Sequence, residues 1–273
     1  MPDWTALSGA LSFVGGQGEQ HAMSGSGDEL SLPALGAMLF AGMIAAAWLG
    51  NRLRARGADR DNDAEEGYLL SAVLALLGLL IAFTFSLAVS RYDARRELVV
   101  AEANAIGTAW LRAGLAEGEG GAALQSAIAS YTDVRLGLSR MEAPARVEAA
   151  SGKEQRLVWT QVRTLAASDR SAISAGIVAA VNEMFDSASA RKAERAARIP
   201  DEVVAVLIAY AVIAAGIVGY VMGATGRRHM VVTAVLFLLL TLAITLILDL
   251  DRPLSGAVTV SQQPMYDVRE SMR

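Results

Sequence analysis

Four long apolar stretches dominate the pattern of hydrophobic and polar positions along the chain. They cover 32–50, 69–90, 203–223 and 230–248, have 19 to 22 residues each, and contain no Asp, Glu, Lys, Arg or His. At about 1.5 Å per helical residue, each stretch is about 28–33 Å long, which matches the hydrocarbon core of a bilayer. The pattern therefore predicts four membrane-spanning helices.

The polar segment between the second and third stretches, about 110 residues long, predicts a helical bundle. It has no strand-like alternation, and its apolar positions continue helical spacing from the second stretch without a breaker. Those positions are Leu98, Val99, Ala105, Ile106, Ala109 and Trp110. We expect one helix of over 40 residues that projects from the membrane, then helices near 122–141, from Pro144, and near 172–198.

The predicted fold class is an all-α integral membrane protein. It has four transmembrane helices in two hairpins and an inserted helical bundle, and the second membrane helix continues into that bundle. The predicted divisions are a disordered N-terminal tail (1–31), the first transmembrane hairpin (32–90), the soluble helical bundle (91–199), the second transmembrane hairpin (200–250) and a C-terminal extended segment (251–273).

Composition and charge exclude several classes of function. The chain has 273 residues, 53% of them hydrophobic, a net charge of −4 and no Cys. No Lys- or Arg-rich patch in the sequence indicates a nucleic-acid partner. Ion-coupled transporters usually carry ionisable residues inside their spans, and the four apolar stretches contain none, so the sequence does not favour a transporter. The chain contains two His and lacks standard catalytic motifs. We therefore expect no enzyme activity, no metal and no cofactor.

Charge asymmetry slightly favours an orientation with the bundle in the periplasm. No Lys or Arg precedes the first apolar stretch, whereas Arg52, Arg54, Arg56 and Arg60 follow it, which favours an outside N-terminus. Basic residues that flank the bundle favour the opposite orientation, but long loops weigh less in this rule.

Small residues recur every four positions in two of the apolar stretches. They are Gly42, Ala46 and Gly50 in the first, and Ala211, Ala215, Gly219 and Gly223 in the third. Such rows let helix backbones approach closely, so they predict helix packing.

Small and hydroxyl side chains also follow one face of the second and fourth stretches. The second carries Ser71, Gly78 and Ser86, and the fourth carries Thr241 and Thr245. Two interpretations stay open: helix packing with each hydroxyl bonded to its own preceding turn, or the lining of a water-filled, ion-conducting path.

Two carboxylates lie where the fourth membrane helix should end, in the sequence "LDLDRP". Acid is unfavourable at the negative end of a helix, so Asp249 and Asp251 need a nearby cation. We expect one of them to pair with Arg252, or with an arginine at the exit of the second membrane helix, because both helices end at the same membrane surface. The candidates at that exit are Arg91, Arg95 and Arg96.

Three stretches together resemble the bestrophin-like bacterial membrane proteins, a family of unknown function. They are "GYLLSAVLALLGLLIAFTFSLAVSRYDARRELVVAEANAIGTAWLRA" at 67–113, "IPDEVVAVLIAY" at 199–210 and "LDLDRPLSGAVTVSQQP" at 248–264. The resemblance implies a multi-pass protein of the bacterial inner membrane. It also implies distant similarity to bestrophins, which are pentameric chloride channels whose second membrane helix narrows the pore with apolar side chains one turn apart.

The resemblance sets the expected function. Leu79, Phe83 and Leu87 have the spacing of such a constriction, as does a second trio of Ile81, Phe85 and Val89. We expect a homo-oligomer in the lipid bilayer, a pentamer by analogy, that conducts chloride or other small anions past a positive mouth formed by Arg91, Arg95 and Arg96. Bestrophins keep the corresponding middle segment in the cytoplasm, contrary to the charge asymmetry. The alternative function is a non-conducting scaffold or envelope sensor that binds a protein partner through the bundle.

Overall fold

The computed structural model describes residues 31–56, 63–138, 143–223, 230–252 and 256–273. Nearly all of the predicted tail, and Pro253 after the fourth membrane helix, lie outside these ranges. Within them every regular element is helical: α1 (Leu32–Arg56), α2 (Asp63–Ala113), α3 (Glu119–Arg135), a 3₁₀ turn (Leu136–Leu138), α4 (Pro144–Ser168), α5 (Ala172–Ala196), α6 (Asp201–Met222), α7 (Met230–Asp251) and α8 (Gln263–Glu270).

In the part of the chain that the structure describes, four helical segments are long and apolar enough to cross a membrane. They are Leu32–Arg56, Glu66–Ala113, Ala172–Met222 and Met230–Asp251. Each overlaps one of the four apolar stretches, the third through α6, which confirms the predicted all-α membrane architecture.

Helix α2 is the longest element, with 51 residues and no proline. At about 1.5 Å per residue it is roughly 75 Å long, more than twice the thickness of a bilayer core. Its apolar part, 69–90, is the membrane span, and its polar part, 91–113, is the central helix of the bundle. The expectation of one helix of over 40 residues is therefore confirmed.

The membrane helices pack across the two hairpins more than within them. Helix α1 packs most extensively against α6 and also contacts α7, whereas α2 packs against both α6 and α7. Their shared core includes Met43 from α1, Leu77 from α2, Leu207 from α6, and Phe237 and Ile244 from α7.

Glycines bring α1 and α6 into direct backbone contact. A Cβ on Gly50 would collide with the carbonyl oxygen of Gly216, and a Cβ on Gly219 would collide with that of Ala47. A Cβ on Gly223 would lie 2.5 Å from Asn51 Oδ1. At Gly50 and Gly219 the backbone of the facing helix occupies the space of a side chain, and at Gly223 the side chain of Asn51 does.

The remaining residues of the predicted small-residue rows divide into two groups. Ala211 and Ala215 are buried in the membrane core, and Ala46 packs at its edge beside Gly216. Gly42 is different: a Cβ there would meet no described atom within 4 Å. The structure therefore does not place Gly42 in a close helix contact, because the four-residue row drifts off the face that touches α6.

In the bundle, α3 and α5 pack against the polar part of α2, and α4 packs against α3 and α5. Fully buried Ile106, Ile128, Val158 and Ile177 contribute one side chain from each helix to its core. Helix α3 begins at Glu119 and ends at Arg135, where a 3₁₀ turn begins, so it is shorter than the predicted 122–141 at its C-terminal end.

The prediction of an extended segment over 251–273 is wrong, because α8 occupies Gln263–Glu270. Pro264 suits a helix start, Met265 is fully buried in the bundle core, and a Cβ on Gly107 would lie 3.1 Å from Val268 Cγ2. Arg269 donates to both carboxylate oxygens of Asp133 in α3, at 2.7 and 2.9 Å. This short helix is held by tertiary contacts with α2 and α3, which its own sequence pattern does not reveal.

Candidate functional site

Helix α2 leaves one face uncovered along its membrane span. Leu79, Phe83 and Leu87 are 51%, 68% and 39% exposed, respectively. Ser71, Gly78 and Ser86 are exposed on the same side of the helix, whereas Leu77, Thr84 and Ala88 on the other side are buried. Of the second trio, Phe85 is exposed and Ile81 and Val89 are half-buried.

The uncovered face continues into the bundle and becomes polar there. Its exposed polar side chains there are Asp93, Arg96, Glu97, Asn104 and Thr108, and the apolar Val100 and Ala101 are exposed between them. We call the whole surface, from Ser71 to Thr108, the α2 face.

The three arginines predicted for a positive mouth do not share this face. Arg91 is half-buried and donates from Nη1 to Glu194 Oε1 at 3.2 Å. Arg95 is buried, and only Arg96 is exposed on the α2 face. The prediction of a mouth formed by all three is therefore wrong, because helical geometry turns positions 91 and 95 towards α5 and α7.

The two threonines of α7 lie apart from the α2 face. Thr241 is 5% exposed, and its Oγ1 is 3.9 Å from Met43 Sδ of α1. Thr245 donates to the carbonyl of Thr241 at 2.8 Å, and a Cβ on Gly36 of α1 would lie 3.0 Å from its Cγ2. The structure thus places both threonines in a groove between α1 and α7, and it does not bring them together with the candidates on α2.

Arg95 lies between the C-terminal ends of α5 and α7. Its Nη2 is 3.8 Å from Asp251 Oδ1 and donates to the Ala197 carbonyl at 2.8 Å, and its Nη1 donates to the Leu250 carbonyl at 3.0 Å. Asp251 Oδ1 also accepts from the Ile199 N–H at 3.0 Å. Burial lowers the pKa of Arg95, and Asp251 opposes that effect.

Asp249 has a different kind of partner. Its Oδ1 accepts from the Ala257 N–H at 2.8 Å, and its Oδ2 accepts from the Val258 N–H at 2.9 Å. A Cβ on Gly256 would lie 2.7 Å from Asp249 Oδ1, so glycine leaves the room that the carboxylate fills. Backbone N–H groups therefore satisfy this buried carboxylate and fix the chain that follows α7.

Comparison with known proteins decides the family. The sequence model of the bestrophin-like domain family matches residues 37–265 of this chain. The chain belongs to the bestrophin-like family. No curated protein matches it in sequence.

Solved structures share the fold of this bestrophin-like chain at 13% sequence identity. A structure described as a membrane protein with a leucine-to-alanine change has a TM-score of 0.63 and covers 89% of this chain and 98% of its own. A bacterial bestrophin homolog from Klebsiella pneumoniae with an aspartate-to-alanine mutation has a TM-score of 0.62 and covers 87% of this chain and 96% of its own. The same homolog with a leucine-to-threonine mutation has a TM-score of 0.61.

A buried ionic network, which the sequence patterns did not predict, lies in the bundle of this bestrophin-like protein. Glu102 is fully buried and accepts three charge-assisted hydrogen bonds. Arg135 donates from Nε at 2.6 Å and from Nη2 at 3.2 Å, and Arg191 donates from Nη1 at 2.6 Å. Arg135 and Arg195 also both donate to Glu148 Oε1, at 3.1 and 2.5 Å.

The charged groups of this network keep one another ionised despite their burial. Burial alone would raise the pKa of Glu102, but Arg135 and Arg191 hold it below its usual range. Burial alone would lower the pKa of Arg135, but Glu102 raises it above its usual range. Both groups are therefore ionised inside the bundle.

One sequence signal was available for the network. Glu102 lies three residues after Val99 and four before Ile106, Arg135 follows Tyr131 by four, and Arg191 follows Ala188 by three. Each charged residue is thus in phase with the apolar positions of its own helix, where a charge must be paired to be buried.

Proposed function

We propose that this bestrophin-like protein forms a homo-oligomeric membrane channel, a pentamer by analogy with bestrophins, that conducts chloride or other small anions. In this assembly the α2 faces of the subunits surround a central pore. The solved neighbours named as bestrophin homologs support the proposal at the level of the fold.

The α2 face is the observation that carries the proposal. It combines small or hydroxyl residues, such as Ser71, Gly78 and Ser86, with three apolar side chains spaced one turn apart. Apolar constrictions are one way in which channels gate and select, by removing water from a narrow section of the pore. The same helix continues into the bundle with an exposed polar face, so one element lines both the membrane section and the vestibule beyond it.

The described membrane spans of α1 and α7 also expose large apolar side chains, but unlike α2 they carry no fully exposed Ser or Thr. The large apolar side chains are Trp48, Leu49 and Leu53 in α1, and Leu238 and Leu239 in α7. Large apolar side chains of this kind suit lipid contact. We therefore assign these surfaces of α1 and α7 to the bilayer and the α2 face to the pore.

The charges on the bundle part of the α2 face do not by themselves favour anions, so ion selectivity needs its own test. Arg96 lies among Asp93 and Glu97, so this part of the α2 face has one cation and two carboxylates. In the proposed channel the apolar constriction, rather than a ring of positive charge, favours chloride over a small, strongly hydrated cation such as Na⁺, because such a cation loses its water at higher cost.

Planar-bilayer recording of the purified oligomer tests the proposal. In asymmetric NaCl we expect a reversal potential close to the equilibrium potential of chloride. A reversal potential close to that of sodium would overturn the anion assignment. No current under any voltage or ionic condition, together with an oligomer that has no central pore, would instead support the non-conducting scaffold.

A matched pair of variants tests which helix lines the pore. Leu79 on α2 and Leu239 on α7 are 51% and 59% exposed, so they have the same chemistry and similar exposure on different faces. We expect Leu79→Ala to change the unitary conductance and Leu239→Ala to leave it at the wild-type value. Equal effects of the two changes would refute the assignment of the α2 face to the pore.

A further inference from the structure

Three arginines line one small cavity where the bundle meets the segment that follows α7. The cavity has a volume of about 30 Å³, and Arg95, Arg191 and Arg195 lie around it together with Gln262 and the apolar side chains of Val99 and Val260. Its described lining contains no carboxylate. Such a concentration of guanidinium groups favours an anion.

The surrounding network is short of negative charge. Among the described direct contacts, four guanidinium groups share three carboxylates, so there is one carboxylate fewer than there are cations. The arginines are Arg95, Arg135, Arg191 and Arg195, and the carboxylates are Glu102, Glu148 and Asp251.

Two further carboxylates lie nearby, but neither makes a direct contact with these four arginines in the described part of the chain. Glu194 raises the pKa of Arg95 but pairs with Arg91 at 3.2 Å. Asp249 keeps its negative charge, and both of its oxygens accept backbone N–H groups.

One guanidinium donor at the cavity is also unsatisfied. Arg95 is 6% exposed, and both of its Nη atoms donate to backbone carbonyls. Its buried Nε has no hydrogen-bond acceptor in the described part of the chain. Burial lowers the pKa of Arg95 and also that of Arg195, as expected for cations that are incompletely compensated.

We propose that this cavity binds a small inorganic monoanion, chloride, between the bundle and the C-terminal segment. A cavity of about 10–15 Å³ already holds one water, so 30 Å³ accommodates a monatomic anion and excludes the phosphate of a lipid headgroup. A water would also fit, but a neutral molecule compensates the three guanidinium groups around the cavity less than an anion does. The site lies on the opposite side of α2 from the α2 face and does not depend on ion conduction.

The anion would join three parts of the molecule. Arg95 belongs to α2, Arg191 and Arg195 belong to α5, and Gln262 immediately precedes α8. Gln262 Oε1 already accepts a hydrogen bond from Arg191. Chloride in the cavity would therefore stabilise the folded chain.

Thermal unfolding of the full-length protein in different sodium salts, at fixed ionic strength, tests the site. We expect chloride and bromide to raise the apparent Tm saturably relative to gluconate, by roughly 5–10 °C when the halide is at 100 times its Kd. Equal Tm values in halide and gluconate would overturn the proposal. The readout is stability, so it holds whether or not the protein conducts.

A variant that supplies the missing charge sharpens the test. Gln262→Glu adds a carboxylate at the cavity while keeping an acceptor for Arg191, so we expect it to abolish the halide-dependent shift. Thr259→Glu adds the same charge at an exposed neighbouring position and should retain the wild-type shift. Loss of the shift in both variants would mean that halide acts through general surface charge, which contradicts a specific site.

Bromide anomalous diffraction from the wild-type protein is independent of any variant. We expect a peak between Arg95, Arg191 and Arg195. Density for water alone in the cavity, or bromide only on the surface, would refute the site even if Gln262→Glu does not fold.

Discussion

The substitution Glu102→Gln removes one negative charge from the centre of the bundle while preserving the size of the side chain. In the wild-type protein this carboxylate is fully buried and joins Arg135 of α3 to Arg191 of α5. The amide carries no charge, and only its oxygen can accept hydrogen bonds, because its nitrogen is a donor. Two buried guanidinium groups would then lose their shared counter-ion.

The structure sets the expected magnitude of this loss. Removing one partner of a buried ion pair typically costs about 3–5 kcal/mol, because the remaining charge stays buried and uncompensated. For a chain of this length each kcal/mol lowers Tm by about 2–4 °C, so the expected decrease is roughly 6–20 °C. The exposed pair between Asp133 and Arg269 gives the contrast, since surface ion pairs contribute only about 0–1 kcal/mol.

The assay is thermal unfolding of purified full-length protein, with Asp133→Asn as the matched control. Both changes convert a paired acid into its amide, but Glu102 is fully buried and the Asp133 side chain is 51% exposed. We expect Glu102→Gln to lower Tm strongly and Asp133→Asn to change it by at most a few degrees. If the two variants unfold at the same temperature, the ionic network does not stabilise the bundle.

Acidification provides a second readout of the same group. The pKa of Glu102 is lowered in the folded state. Its contribution to stability is therefore fully present above the usual glutamate pKa of about 4.3 and is lost as the pH falls through the lower, folded-state value. We expect the Tm difference between wild type and Glu102→Gln to narrow below about pH 4.3; a difference that stays constant there would contradict ionised Glu102.

Three further predictions concern other parts of the molecule. Gly50→Ala should destabilise the contact between α1 and α6 by about 1–3 kcal/mol, because its Cβ collides with a backbone carbonyl, whereas Gly42→Ala should leave thermal stability unchanged; equal Tm values would refute the close packing. Asp251→Asn and Arg95→Gln should be non-additive in a double-mutant cycle, by at least about 0.5 kcal/mol, and additivity would exclude a stabilising ion pair between them. Finally, if the bundle lies in the periplasm, the single cysteine of Lys153→Cys should react with a membrane-impermeant maleimide in intact cells, because the chain has no native Cys. Reaction only after lysis would place the bundle in the cytoplasm.

The membrane architecture was predictable because its signals are local. A charge-free run of about 20 residues has few alternatives to a membrane helix, and α2 continues into the bundle because no proline or loop motif interrupts it. Helix α8 was not predictable on the same basis. Eight residues are too few for a stable isolated helix, and burial of Met265 against distant parts of the chain is what holds it.

The partners of the buried charges were only partly predictable. The sequence indicated that Asp251 needs a cation and offered Arg95 as one candidate, and the structure places their side chains 3.8 Å apart. Nothing in the sequence indicated that Asp249 would accept hydrogen bonds from backbone N–H groups, since every residue except proline carries such a donor. The pairing of Glu102 with Arg191, 89 positions away, depends on how α2 packs against α5.

Helix α2 connects the proposed pore to the buried charges through its rotational setting. Arg95 and Glu102 are seven residues apart, two helical turns, so they lie on nearly the same side and face α5, α7 and the C-terminal segment. Leu79 and Phe83 are exposed on roughly the opposite side. A change of one residue in the packing of α2 would rotate it by about 100°, which would bury part of the α2 face and separate Glu102 from both arginines. Apolar contacts alone tolerate such slippage better than charged pairs do, because an unpaired buried charge is penalised at once. The ionic network in the bundle therefore fixes which side of α2 remains uncovered in the membrane.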